Sequence, residues 1–221
     1  MRDDRIYGAA LIAGALLFLA TAGLHPTGSQ LLDSPEGFAS HAPRNVLAHS
    51  LGLFGVWLTL FGVVGLVRHL GPRKPGVTAA FVAFALASAM VSVAAIVDGL
   101  VSTRFAADYV ASDDEARRSA IKGFIRFCYY LASALSRYYV TAAAIAILLW
   151  SWAAWRVKFD RVLPWLGAAI GVIALAAQLR GYLQMNVHDV MLLAVGQGLW
   201  MGWAGVALWR RRADAPLQSA A

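Results

Sequence analysis

Apolar residues run almost unbroken for about twenty positions at a time along this chain, and short stretches rich in Gly, Pro and Arg separate the runs. At a rise of 1.5 Å per residue, such runs match the hydrocarbon thickness of a bilayer and predict membrane-spanning helices. Six are expected, over about residues 6–24, 45–68, 77–102, 132–152, 162–182 and 189–209. Breakers bound them. His25-Pro26 closes the first, Gly28, Pro35, Gly37 and Pro43 mark the loop after it, and Gly71, Pro72, Pro75 and Gly76 separate the second from the third. Ser112-Asp113-Asp114-Glu115 reads as the capped start of a helix. That helix, residues 119–156, is too long for one crossing. Counting about 20 residues back from Trp152 places the outer boundary near Ala132, so residues 119–131 project beyond the bilayer core or bend along its surface.

Polar positions in this long helix have their own period. Lys122, Arg126, Tyr130, Ser133, Arg137 and Thr141 follow one another at intervals of 4, 4, 3, 4 and 4 residues, which puts them on one side. Arg137 falls roughly 8 Å inside the outer boundary. Lipid cannot solvate such a stripe, so it must face protein, water or a ligand. Asp98, late in the third span, is the expected ion-pair partner of Arg137. Glycine ridges at Gly52, Gly55, Gly62 and Gly65, and at Gly198, Gly202 and Gly205, permit close helix contact within one chain or between copies. The tryptophans Trp150, Trp152 and Trp155 read as an interfacial belt.

Composition narrows the class. With 60% hydrophobic and 14% charged residues and a mean hydropathy of +0.62, an ordinary soluble domain is excluded. The net charge of +7 gathers at Arg2 and Arg5, in loops 68–76 and 156–161, and at residues 210–212. That distribution reads as positive-inside topology with both termini cytoplasmic, not as a nucleic-acid footprint. Expected partners are membrane lipid and a small amphipathic or isoprenoid ligand, with no nucleic acid and a homo-oligomer left open. Residues 1–212 form a single transmembrane domain, and 213–221 a disordered cytoplasmic tail. The first run also fits a signal peptide cleaved near residues 19–23, but two acids before it and five further runs after it favour a retained helix. Cys128 is the only cysteine, which excludes an intramolecular disulfide and a thiolate metal cluster.

Ionisable and polar groups collect at one level, the outer mouth: His25, His49, Asp98, Arg104, Arg126, Arg137, Gln178, Arg180, His188 and Asp189. The inner half carries little comparable. Helix ends near an interface do carry polar residues, and arginine snorkels. Three functional readings go further. In the first, an enzyme works on a lipid-like substrate, with Asp98 as general acid or base and Asp189 as a second carboxylate. Arg126, Tyr130, Arg137, Gln178, Arg180 and His49 hold the substrate, and Tyr129, Tyr130, Tyr138 and Tyr139 bound its apolar tail. One version protonates a prenyl chain and stabilises the cation on aromatic faces. In the second, His49 and His188 ligate haem or metal. No His-x-x-x-His or Cys-x-x-Cys spacing supports it, and the first reading expects no cofactor and no metal. The third is a non-enzymatic subunit, sensor or small-solute carrier.

Leu24-His25-Pro26, His49 opening a glycine-rich span, Asp98-Gly99 and Leu208-Trp209-Arg210 resemble features of small bacterial six-span inner-membrane proteins. The resemblance implies that location and implies no activity. The short polytopic layout, with few in-span carboxylates and many aromatics, is similar in outline to integral-membrane terpene cyclases. This implies an all-α bundle acting on an isoprenoid.

Overall fold

The structure, a computed structural model, describes residues 2–25, 34–183 and 187–211, so the tail 213–221 lies outside it. Among the described residues eight α-helices follow one another: α1 (Arg2–Leu24), α2 (Pro35–Ser40), α3 (Ala42–Leu70), α4 (Pro75–Ala95), α5 (Ser102–Val110), α6 (Glu115–Arg156), α7 (Leu163–Leu179) and α8 (Val187–Arg210). A π-helical turn, Ile96–Val101, joins α4 to α5 without a break. No strand occurs among the described residues.

Local chemistry sets the boundaries. Prolines sit in the first turn of α2, α3, α4 and α7, where their missing N–H costs no hydrogen bond. The predicted start of α6 holds, with Asp114 as the cap. Its carboxylate accepts from the N–H groups of Ala116 (2.9 Å) and Arg117 (3.4 Å). Gly71 ends α3 at φ 101°, a conformation that favours glycine.

Among the described residues, five helical stretches are long and apolar enough to cross a membrane: Asp3–Leu24, Ala42–Leu70, Pro75–Val110, Glu115–Arg156 and Leu192–Arg210. The remaining predicted run is α7, which is apolar but has 17 residues, about 26 Å of helix. That falls short of a hydrocarbon core of about 30 Å.

Helix α1 lies between α3 and α8, while α6 packs on α4 and α7. The glycine ridges are used inside the chain. A Cβ at Gly62 would stand 2.9 Å from the Tyr7 carbonyl oxygen, and one at Gly205 would stand 2.7 Å from that of Gly8. Backbones approach that closely only where no side chain intervenes. The core centres on Trp150, fully buried, stacked on Trp200 (6.0 Å between centroids) and tilted against Phe84 (5.4 Å). Trp150 is therefore a core residue, whereas Trp152 and Trp155 are exposed as an interfacial belt requires. The Trp200 indole donates to the Leu163 carbonyl at 3.2 Å.

At 42 residues, α6 spans about 63 Å, twice the hydrocarbon thickness. Its N-terminal half is packed against other elements of the chain. Ile121 and Ile125 bury against Phe38 of α2 and Ala106 of α5, forming a second, smaller core. Phe105 stacks on Phe124 beside it, at 5.4 Å.

The sequence suggested little elsewhere in the bundle to compare with the polar groups of one mouth, yet the other end carries a polar network of its own. At the end holding the N-terminus of α1, the Asp4 carboxylate meets His69 Nε2 at 3.0 Å, and His69 Nδ1 lies 3.2 Å from the Arg211 guanidinium. Arg211 donates to the Phe159 carbonyl (3.2 Å) and lies over its ring at 4.1 Å. Asp160 accepts from the Trp203 indole at 2.9 Å and caps α7 through the N–H groups of Val162 and Leu163, both at 2.8 Å. Helix ends gathered by this fold, not one segment's periodicity, build the network.

Candidate functional site

At the opposite end of the bundle, three helices each deliver one side chain to a common point. His25 follows the last turn of α1, His49 sits on α3 and Asp98 lies in the π-helical turn. His49 Nε2 is 3.1 Å from Asp98 Oδ2, and His25 Nε2 is 3.6 Å from the same oxygen. The two imidazole rings meet edge to face at 4.9 Å. His49 is buried, while the side chains of His25 and Asp98 are 26% and 30% exposed.

Each side chain has a structural reason for its place. Arg44 donates to the Leu24 carbonyl at 2.7 Å and the Gly23 carbonyl at 3.4 Å, satisfying acceptors that the end of α1 leaves open. Thr21 Oγ1 donates to the Ala48 carbonyl (3.1 Å), tying α1 to α3 beside His49. In the π-helical turn both the N–H and the hydroxyl of Ser102 bond to the Val97 carbonyl, five residues back. Asn45 Nδ2 bridges the Asp98 carbonyl (3.3 Å) and Thr103 Oγ1 (3.2 Å), and Thr103 Oγ1 donates to the Gly99 carbonyl at 2.6 Å. Gly99 faces the His49 ring so closely that any Cβ there would collide with it.

Hydrogen-bond directions determine the His49 tautomer. Nδ1 lies 2.9 Å from the Asn45 carbonyl oxygen, which only accepts, so Nδ1 carries a proton. In neutral His49, Nε2 is then a bare lone pair aimed at Asp98 and His25. The contact between Nε2 and Oδ2 therefore holds one shared proton, residing on imidazole or carboxyl.

Several expectations change. Asp98 pairs with histidines and not with Arg137, which is exposed and makes no ion pair among the described residues. The face of α6 that carries Arg126, Tyr130 and Arg137 points away from the bundle, since Ile121, Ile125, Cys128 and Ala132 occupy the buried side. The four tyrosines do not line one pocket. Tyr139 is buried and donates to Gln197 Oε1, while Tyr130 and Tyr138 are exposed. Arg180 is exposed at the end of α7, and Gln178 is half-buried with an Oε1 that has no hydrogen-bond partner among the described residues. Helix α7 packs on α6 and α8 rather than on the helices that carry the triad.

Asp189 lies half-buried in the first turn of α8. Gly8 meets Gly205, and Gly198 meets the Ala15 carbonyl, so α1 and α8 run antiparallel. The same register brings residues 188 and 189 level with His25. The His188 side chain is outside the described set. Bis-imidazole haem ligation through His49 is not supported, because a 3.1 Å gap between Nε2 and Asp98 leaves no room for a macrocycle.

Of the sequence candidates, Asp98 and His49 are brought together. His25, read at first as a helix-end residue, completes them, with Asn45, Gly99 and Thr103 as positioning residues. Their shared depth was the available signal. Comparisons with protein-family models, curated proteins and solved structures find no match to this chain.

Proposed function

We propose that this chain is a six-span protein of the bacterial inner membrane with both termini cytoplasmic. In this reading it is an enzyme that performs acid/base chemistry on a lipid-like substrate at the His25–His49–Asp98 triad. The observation that carries it is the triad itself: three polar side chains from three elements converge at one point in a largely apolar bundle, with His25 and Asp98 partly exposed. A molecule that reaches Asp98 presents a polar group to the triad and leaves its tail against the apolar helices. Amphipathic substrates meet both demands. Asp98 flanked by two imidazoles suits proton removal from water or a hydroxyl, with charge delivered by an oriented histidine. It suits alkene protonation less well, because a carboxyl proton passes to imidazole before it reaches an alkene. An isoprenoid therefore remains within the substrate class as a molecule carrying a polar head, and the cyclase version is the weaker one.

A non-enzymatic subunit, sensor or carrier drew its support from glycine ridges available for association, and the ridges of α3 and α8 are consumed against α1. The test is lipid mass spectrometry on cells expressing the wild type or Asp98→Asn at equal membrane levels. A lipid species depleted by the wild type and spared by the variant is expected. Identical lipid profiles would refute the enzymatic reading.

A further inference from the structure

We infer that His25, His49 and Asp98 bind one divalent transition-metal ion of the zinc type, held by two imidazole nitrogens and one carboxylate oxygen with a fourth position open. The inference rests on the same triad as the function proposed above and deepens it by naming what activates the water.

The donor atoms have metal-site spacing. One ligand atom from each residue lies within 4.8 Å of the other two. The two separations through Asp98 Oδ2 are 3.1 and 3.6 Å. A tetrahedral zinc ion with bonds of about 2.0–2.1 Å places its ligand atoms about 3.4 Å apart. These two separations bracket that value, and the third, between the two imidazoles, is no more than 4.8 Å, so side-chain rotation seats an ion.

Donor chemistry points the same way. Imidazole nitrogen with one carboxylate suits zinc, iron, copper or nickel and not calcium or magnesium. Metal-bound histidines characteristically donate their second ring N–H to a carbonyl or carboxylate, which orients the ring and raises its basicity. His49 does so through the Asn45 carbonyl at 2.9 Å. The elements that carry the ligands are fastened to one another through α3: α1 by the Arg44–Leu24 and Thr21–Ala48 bonds, and the π-helical turn by Asn45. His49 is buried, whereas His25 and Asp98 are partly exposed. Among the described residues the group has three ligands, which leaves a fourth position for water or substrate, as in catalytic zinc sites. The sequence expectation of no metal depended on spacing within one segment. This cluster is assembled between segments and has no such spacing.

The experiment uses tag-free full-length protein in mild detergent, stripped with chelator and titrated with cobalt(II), with zinc(II) as competitor. One cobalt per chain, with visible d–d absorption that zinc removes, is expected. His25→Ala should weaken binding by about 100-fold or more, since even residues that merely orient ligands cost 10–100-fold. His25→Cys should retain the metal and add a thiolate-to-cobalt charge-transfer band. Cys128, buried on α6, gives the wild type no such band. His25 lies beyond the end of α1, so both variants should keep the wild-type melting temperature, and His25→Cys serves as the folded probe if His25→Ala does not. Folded wild type that takes up no stoichiometric cobalt would overturn the inference, as would equal binding by His25→Ala. Metal binding with lipid profiles unchanged by Asp98→Asn would leave the site standing and remove the enzyme. Lipid turnover lost in Asp98→Asn without any metal uptake would do the reverse.

Discussion

At the scale of single residues, the environments of Asp98 and Arg137 lead to opposite expectations for two charged side chains in one membrane protein. Arg137 is exposed and unpaired among the described residues, so its head group can reach the interface on its own stem. Arg137→Gln should change thermal stability by no more than about 0.5 kcal/mol, read as an almost unmoved melting temperature in detergent. A large loss would restore the buried pair with Asp98. Gly99 is the contrasting case, because the His49 ring fills the space a methyl group would need. Gly99→Ala forces ring or helix to move, at about 1–3 kcal/mol for overpacking, and should abolish cobalt binding even in the fraction that stays folded. Both measurements come from one titration and one melt.

Among the elements, α7 has the most exposed dependence on a single side chain. Asp160 supplies its cap and also binds the Trp203 indole. Burial acts to raise the Asp160 carboxyl, but the backbone N–H of Leu163, the Trp203 indole and the N–H of Val162 outweigh it, so its pKa lies below the usual range. A depressed folded-state pKa contributes stability that is complete above the unfolded value, about 4, and disappears as pH falls through the folded value. The melting-temperature gap between the wild type and Asp160→Asn should accordingly hold constant from neutral pH to about 5 and close below about 4. Asp160→Ala removes the cap altogether and should cost about 1 kcal/mol at neutral pH. A gap that widens in acid would contradict the assignment.

For the whole molecule, the long apolar helices were legible in the sequence, because membrane hydrocarbon sets a minimum length for a crossing and Gly, Pro and Asp mark the ends, whereas α2 and most of α5 fall where loops were read. The site was legible only in part. Asp98 and His49 stood out as ionisable groups in apolar runs, but their partner His25 belongs to another helix, and one-dimensional periodicity carries no information about which faces meet. The stripe on α6 misled for the same reason: it described one side of a helix without saying that this side faces outward. Trp150 sits two residues before the exposed pair Trp152 and Trp155, yet it packs fully buried against Trp200 and Phe84. Trp150→Ala should cost about 3–5 kcal/mol as a core deletion, which a belt residue would not. Topology has its own check. In a Cys128→Ser background, Lys74→Cys and Arg161→Cys should react with an impermeant thiol reagent from one side of the membrane and Asp113→Cys from the other. Labelling of Lys74→Cys and Arg161→Cys from opposite sides would show that the α4–α5 stretch or α6 fails to cross. The turn that carries Asp98 closes one bond from Ser102 back to Val97, a loop one residue longer than the helix on either side of it. In genetic terms, one codon is the margin between this helix and an uninterrupted one. An ancestral bundle with a plain third crossing would have needed only a three-nucleotide insertion to swing a carboxylate toward two histidines already standing on its neighbours.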